Sequence, residues 1–243
     1  MQLPSRNEAY QFHTTQWSMV LSAGGPTTDS SVSALSQLCE RYYFPVYAYI
    51  RNSGHNREDT EDLTQAFFER LLEKAILTHA DPSRGRFRCF LLTAAKNFLH
   101  SQHQKQTAKK RGGGQTILSL DYAQADEQFT QLPSNELDPE KLFDREWSRM
   151  VIAKVIAQVR ESCQGPEKVA LFEALQSHLW SDSEAVPYPQ LAEQLGLTLS
   201  AVKVGAFRLR AQFREFFQAE IANTVGDDGE MEDEWRVLLQ AFE

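Results

Sequence analysis

Residues 188–217, YPQLAEQLGLTLSAVKVGAFRLRAQFREFF, carry the strongest structural signal in the chain. Two helical patterns flank a short turn, where Gly196 permits the left-handed backbone that a tight turn between helices requires. Thr198 or Ser200 can cap the second helix. The segment therefore predicts a helix-turn-helix, in which the second helix enters the DNA major groove. An ordinary helical hairpin with a solvated basic face is the alternative. The predicted buried stripe of the second helix is Val202, Ala206, Leu209, Phe213 and Phe216.

The rest of the chain follows the same helical period. Leu63, Phe67 and Leu71 recur at a spacing of four residues, which is typical of one buried helix face. Asp59 is the predicted cap of that helix, and Pro45 is predicted to kink or split an earlier one. Nothing indicates alternating strands. The predicted helices are 14–21, 32–50, 59–74, about 90–106, 143–162, 166–180, 190–195 and 200–221.

Charge is unevenly distributed along the chain. The net charge is −8, yet no Asp or Glu occurs between Asp81 and Asp121, a stretch with eight basic residues. Eight acids and two bases follow between Asp121 and Glu146, and the last residues, 227–243, hold seven acids and one base. A concentrated basic segment in an acidic chain points to a nucleic-acid contact.

These patterns predict an all-α protein with two helical domains joined by a flexible acidic linker. A length of 243 residues suits two domains. The glycines after Arg111 end the first domain, and the polar stretch that follows is too long for a loop within a compact domain. The predicted organisation is a first domain at 1–111, a linker at 112–142, a second domain at 143–225 and an acidic amphipathic tail at 226–243.

Several functional classes are not expected. The sequence contains no apolar run of about 18 residues and no signal-peptide pattern, so we expect a cytoplasmic protein. Cys39, Cys89 and Cys163 lack the spacing of a metal site and are expected to be reduced thiols. No phosphate loop or catalytic motif is present. No catalytic residue, metal or cofactor is therefore expected, and the protein is not expected to be an enzyme.

Residues 59–68 contain Asp59, Glu61, Asp62, Leu63, Gln65 and Phe68. Together with residues 86–98 and 188–217, this segment resembles the sigma-70 family, in its extracytoplasmic-function type. Residues 59–68 resemble the most recognisable block of sigma region 2. Residues 86–98 resemble the block that follows it, and residues 188–217 resemble region 4. TTQWSMVL, LTQAFFERLLEK, DPSRGRFRCFLL and KKRGGG resemble a subgroup familiar from planctomycete bacteria. The resemblance covers roughly 32–111 and 143–222.

The resemblance implies a sigma factor that directs promoter recognition and transcription initiation by RNA polymerase. The implied partners are promoter DNA and core polymerase, through the β′ clamp helices and the β flap, with an anti-sigma factor or a regulatory kinase as further candidates. The polymerase-binding residues would be Asp62, Gln65, Phe68 and Glu69; for Phe68, a place in the core is an equal alternative. The −10 element would be contacted by Arg86, Arg88, Lys96, Asn97, Lys105, Lys109, Lys110 and Arg111.

The resemblance also implies a −35 reader. Its residues would be Ser200, Lys203, Val204, Phe207, Arg208 and Arg210. Family members usually carry a polar residue at the position of Val204 and often an Arg at that of Gly205, so this chain departs from the pattern at both.

Two alternatives remain open at the level of sequence. A helix-turn-helix regulator that does not bind polymerase explains 188–217 but not the basic segment. The acidic tail could also serve an adaptor that binds a regulator. Trp235, Leu238, Leu239 and Phe242 lie at helical spacing. The tail is therefore predicted to pack on the second domain, to mask the basic face of that domain, or to bind a partner helix.

Overall fold

The computed structural model describes residues 16–26, 28–73, 76–106, 122–132, 138–179, 186–222 and 231–240. These residues form ten α-helices with short 3₁₀ turns, and no strand occurs among them. The predicted all-α class is confirmed. The chain divides into two compact units, Met1–Ser148 with Ala222–Glu243, and Arg149–Ile221.

The first unit is built around helix α2 (Asp29–Asn52). Thr28 caps α2 because its Oγ1 accepts from the Ser31 backbone N–H at 3.2 Å, while the Ser31 hydroxyl oxygen accepts from the Thr28 backbone N–H at 2.9 Å. α2 packs against α1 (Gln16–Gly24), α3 (Arg57–Leu72), α4 (Phe87–Gln106) and α5 (Tyr122–Thr130). The other helices of this unit are the start of α6 (Pro139–Ser162) and α10 (Met231–Gln240).

Pro45 lies inside α2, which continues unbroken on both sides of it. The predicted split is therefore wrong. Proline removes one helical hydrogen bond, but Tyr42, Val46 and Tyr47 around it are almost completely buried. Packing of these adjacent turns holds the helix together across the missing bond.

α5 lies within the segment that was predicted to be a linker, but its side chains contact α2 of the first unit. The Tyr47 hydroxyl donates to Asp126 Oδ1 at 3.0 Å. Arg51 lies 3.6 Å from the same oxygen, and its guanidinium stands 5.3 Å from the centre of the Phe129 ring. Burial and the hydrogen bond to the carboxylate both raise the pKa of Tyr47. Part of the acidic stretch is thus an ordered helix packed on α2. The boundary between the two units falls inside α6, after Ser148.

The second unit is described by itself. It contains the rest of α6, then α7 (Pro166–Leu175), α8 (Tyr188–Leu195) and α9 (Leu199–Ala222). α7 packs against α8. Gly196 follows α8 with a φ of 64°, the left-handed conformation that was predicted. Thr198 Oγ1 then accepts from the Ala201 backbone N–H at 3.2 Å, so Thr198 is the capping residue.

The buried stripe of α9 agrees with the prediction in its first half. Val202, Ala206 and Leu209 are buried as predicted. In the second half of α9 the buried apolar residues are Phe217 and Ile221. Phe213 and Phe216 are only partly buried. A step of 3.6 residues drifts from a strict four-three pattern, so the stripe moves around the helix over five turns.

Within the described part of the chain, no helix is both long enough and apolar enough to cross a bilayer.

Candidate nucleic-acid interface

Helix α3 presents a polar face on the first unit. Its cap is Asn56, whose Oδ1 accepts from the Asp59 backbone N–H at 2.8 Å. The predicted cap, Asp59, lies in the first helical turn instead, where its charge suits the helix dipole. An N-cap side chain has to precede the amide that it binds by two or three residues, and Asn56 satisfies that spacing.

The four residues of the implied polymerase surface divide between surface and core. Asp62 is exposed, while Gln65 and Glu69 are half-buried, with Gln65 Nε2 donating to Glu69 Oε1 at 3.0 Å. Phe68 is 0% exposed and packs against Tyr43, with ring centres 6.0 Å apart. The structure therefore removes Phe68 from the implied surface: an aromatic ring enclosed by other rings offers nothing to a partner. Three polar side chains remain.

Two arginines near the start of the basic segment, Arg86 and Arg88, are bound by acidic side chains of the chain itself. Both arginines form salt bridges with the carboxylate of Glu234 on α10. Arg86 Nη1 lies 3.1 Å from Glu234 Oε2, and Arg88 Nη2 lies 2.8 Å from the same oxygen. Arg88 Nε also donates to Glu234 Oε1 at 3.3 Å, and Arg88 Nη1 binds Asp144 on α6. The Glu234 side chain is 0% exposed and that of Arg88 4%.

The surroundings of Arg88 keep it charged. Its guanidinium stands 4.9 Å from the centre of the buried Trp147 ring. Burial alone lowers the pKa of Arg88, but the hydrogen bonds and charge of Glu234, with Asp144, outweigh it and raise that pKa. Burial raises the pKa of Asp144, against the opposing effect of Arg88. These residues form an internal ion cluster, so Arg88 is not an exposed DNA contact in this structure.

The implied −10 residues along α4 have different environments. Asn97 is exposed, and the half-exposed Lys96 pairs with Glu140, which raises the pKa of Lys96. Lys105 lies in the last turn of α4. Lys109, Lys110 and Arg111 lie outside the described residues.

Five of the six implied −35 residues share one exposed face of α9. Ser200, Lys203, Val204, Phe207 and Arg208 follow the spacing of three and four residues that aligns side chains on a helix. Arg210 is different because its Nε donates to the His178 backbone carbonyl at 2.8 Å, inside the second unit. Arg210 thus holds α9 to the turn after α7 rather than extending this face.

The exposed face of α9 is unusually apolar. Phe207 is 75% exposed, Val204 46% and Leu199 40%. With Ser200 and Lys203 they line an open depression of about 430 Å³. Gly205 lies beside this face, where a Cβ would stand 2.8 Å from Leu171 Cδ2 of α7. A side chain at this position would therefore require the Leu171 side chain to shift.

Glu234 and Asp144 are the residues that the sequence reasoning missed. The only signal was the amphipathic pattern of the tail, which was predicted to lie on the second domain. α10 belongs to the first unit instead, because its buried Glu234 and Leu238 contribute to the packing there.

The described residues form two helical units. One has a polar helix, α3, beside a basic helix, α4, and the other has a short helix, a turn and a long basic helix. A family model for sigma-70 region 2 matches residues 38–109. Residues 38–109 thus resemble sigma-70 region 2, and this matched stretch is less than half of the chain. A search of curated proteins and a search of solved structures each gave no match.

Proposed function

We propose that this protein is a sigma factor of the extracytoplasmic-function type, which brings core RNA polymerase to promoters with −10 and −35 elements. The observation that carries the proposal is the region 2 match over 38–109, which includes the polar face of α3 and the described basic residues of α4. The helix-turn-helix expected for region 4 fits α8, the Gly196 turn and α9.

In this proposal, α3 binds the clamp helices of the polymerase β′ subunit through Asp62, Gln65 and Glu69. α4 and the chain after it hold the opened −10 strand, since a basic track and polar side chains such as Asn97 suit an unstacked single strand. α9 enters the major groove at the −35 element, with Lys203 and Arg208 on phosphates or base edges. The planctomycete-type resemblance, an anti-sigma factor and a cytoplasmic location remain parts of the proposal.

Replacing Asp62 and Gln65 together with alanine is expected to abolish a stable complex with core polymerase. Asp62 is exposed and Gln65 is half-buried with a hydrogen bond on its own helix, to Glu69. The free energy of unfolding should therefore fall by no more than about 1 kcal/mol. Co-elution of the purified protein with bacterial core polymerase on a sizing column measures the effect. The matched control is Glu127→Ala with Gln128→Ala, which removes one exposed carboxylate and one exposed amide from α5 of the same unit.

Two outcomes contradict parts of this proposal. If the double variant co-elutes like the wild type, α3 is not the polymerase surface. If the wild type itself does not co-elute but binds duplex DNA, the helix-turn-helix regulator without polymerase takes its place.

The apolar face of α9 predicts how DNA would be read. Val204 and Phe207 cannot hydrogen-bond base edges, but apolar side chains contact the thymine methyl group in the major groove. Duplexes selected from a random pool by the full chain should therefore contain thymines whose replacement by uracil, which lacks that methyl, weakens binding by about fivefold or more. Phe207→Ala should bind both duplexes alike. Equal binding of thymine and uracil duplexes by the wild type would refute this mode of reading.

A further inference from the structure

Arg86 and Arg88 are occupied by a carboxylate from the far end of the chain. We propose that these two arginines form a phosphate-binding site for nucleic acid, and that Glu234 of α10 occupies that site in the free protein. α10 is then an intramolecular competitor of DNA on the first unit. The choice of nucleic acid as the ligand rests on the proposed function.

The geometry of the contact is that of a guanidinium–oxyanion site. Glu234 Oε2 receives Arg86 Nη1 at 3.1 Å and Arg88 Nη2 at 2.8 Å, while Oε1 receives Arg88 Nε at 3.3 Å. Arginine binds a carboxylate and a phosphate through the same planar fork of N–H donors. A phosphate diester presents two oxygens that suit these donors, so it can replace the carboxylate group.

The charges of the site favour such an exchange. Arg86 and Arg88 together balance Glu234 and Asp144, so the four groups sum to zero. Without Glu234 the remaining three carry one net positive charge. That charge lies at the start of the stretch, Asp81 to Asp121, that has no acid between its ends. Release of α10 would therefore extend the basic surface of α4 toward its first turn.

The length of α10 makes it dependent on docking. It spans ten residues, Met231–Gln240, and is anchored by Leu238, which is 1% exposed, and by Glu234. A helix of that length is marginal on its own in water. Its stability must come from the surface that it covers, so a ligand that takes the arginines also removes the main polar anchor of α10.

Glu234→Gln in the full chain tests the proposal. The probe is a fluorescein-labelled single-stranded oligonucleotide of mixed sequence, and fluorescence anisotropy gives its affinity over a range of salt concentrations. The variant should bind about tenfold more tightly, which is typical of a coupling between two sites. Its logarithmic salt dependence should become steeper by about 1.4, or about 0.7 for each arginine that gains a phosphate.

Two further variants separate this effect from simpler ones. Glu127→Gln removes an exposed carboxylate from the same unit and should leave the salt dependence unchanged. Arg86→Gln added to Glu234→Gln should remove about half of the gain in salt dependence, because one phosphate contact is lost. A folded Glu234→Gln variant with wild-type affinity and salt dependence would overturn the proposal. So would tighter binding of an acidic peptide and not of the oligonucleotide, since the site would then serve a protein partner.

The wild type provides a measurement that does not depend on folding of a variant. The amides of residues 231–240 should exchange with solvent faster when the oligonucleotide is added, because α10 leaves the arginines. Unchanged or slower exchange on a DNA-saturated protein contradicts the competition. If the protein does not bind core polymerase, only the proposed function is contradicted. If hydrogen exchange of residues 231–240 does not become faster with DNA, only the competition by α10 is contradicted.

Discussion

Arg88→Ala is expected to lower the free energy of unfolding of the first unit by about 3–5 kcal/mol, since removing one member of a buried ion cluster leaves the other charge uncompensated. Among the ion pairs of the described residues, Glu234, at 0% exposure, would keep only the one with Arg86. Asp144 would lose its partner as well. Guanidinium denaturation followed by tryptophan fluorescence measures the loss of stability. Amide hydrogen exchange of α8 and α9, in the second unit, should be unchanged.

Arg84→Ala is the matched control for this prediction. Its side chain is 81% exposed and lies 3.5 Å from Asp81, so its loss should cost less than about 0.5 kcal/mol. The double change Arg88→Met with Glu234→Met should recover part of the loss, because an apolar pair of similar size leaves no buried charge at this contact. Equal stability of Arg88→Ala and Arg84→Ala would mean that the buried cluster contributes nothing to the fold.

Phe68→Ala is expected to destabilise the first unit by about 3–5 kcal/mol, the usual cost of removing a buried phenyl ring. The ring is 0% exposed and packs edge-to-face on Phe67, with centres 5.5 Å apart. The same denaturation experiment measures the effect, and Asp62→Ala on the same helix should stay within about 0.5 kcal/mol of the wild type.

Polymerase binding by the Phe68→Ala variant shows whether Phe68 acts as a core residue or as a direct polymerase contact. At a temperature where Phe68→Ala is still folded, it should co-elute with core polymerase, whereas Asp62→Ala with Gln65→Ala should not. A stable Phe68→Ala protein that fails to co-elute would return this residue to the polymerase surface.

Local sequence patterns predicted the helices and one turn well. A spacing of three and four residues between apolar side chains is the period of a helix and needs no long-range information, so α3, α4 and α9 were predicted within a few residues of their ends. Gly196 was predicted at a left-handed turn because glycine adopts that backbone without steric cost. The match to sigma-70 region 2 over 38–109 falls inside the first stretch of the resemblance, roughly 32–111.

Positions that depend on contacts between distant segments were not predictable in the same way. Phe68 repeats near a helical face in the sequence, but whether that face meets α2 or solvent depends on how the helices pack. α5 was predicted as part of a linker because its composition is polar, yet Asp126 binds Tyr47 and Arg51 of α2.

The sequence by itself determined the helical class, the basic segment and the likeness to a sigma factor, because these follow from local periodicity, residue order and charge along the chain. Only the tertiary structure decided that Glu234 binds Arg88, which lies 146 residues earlier in the chain. The physical reason is that a buried charge has to find an opposite charge. Several acids in the tail have the same local sequence character, so only packing selects the one that is enclosed.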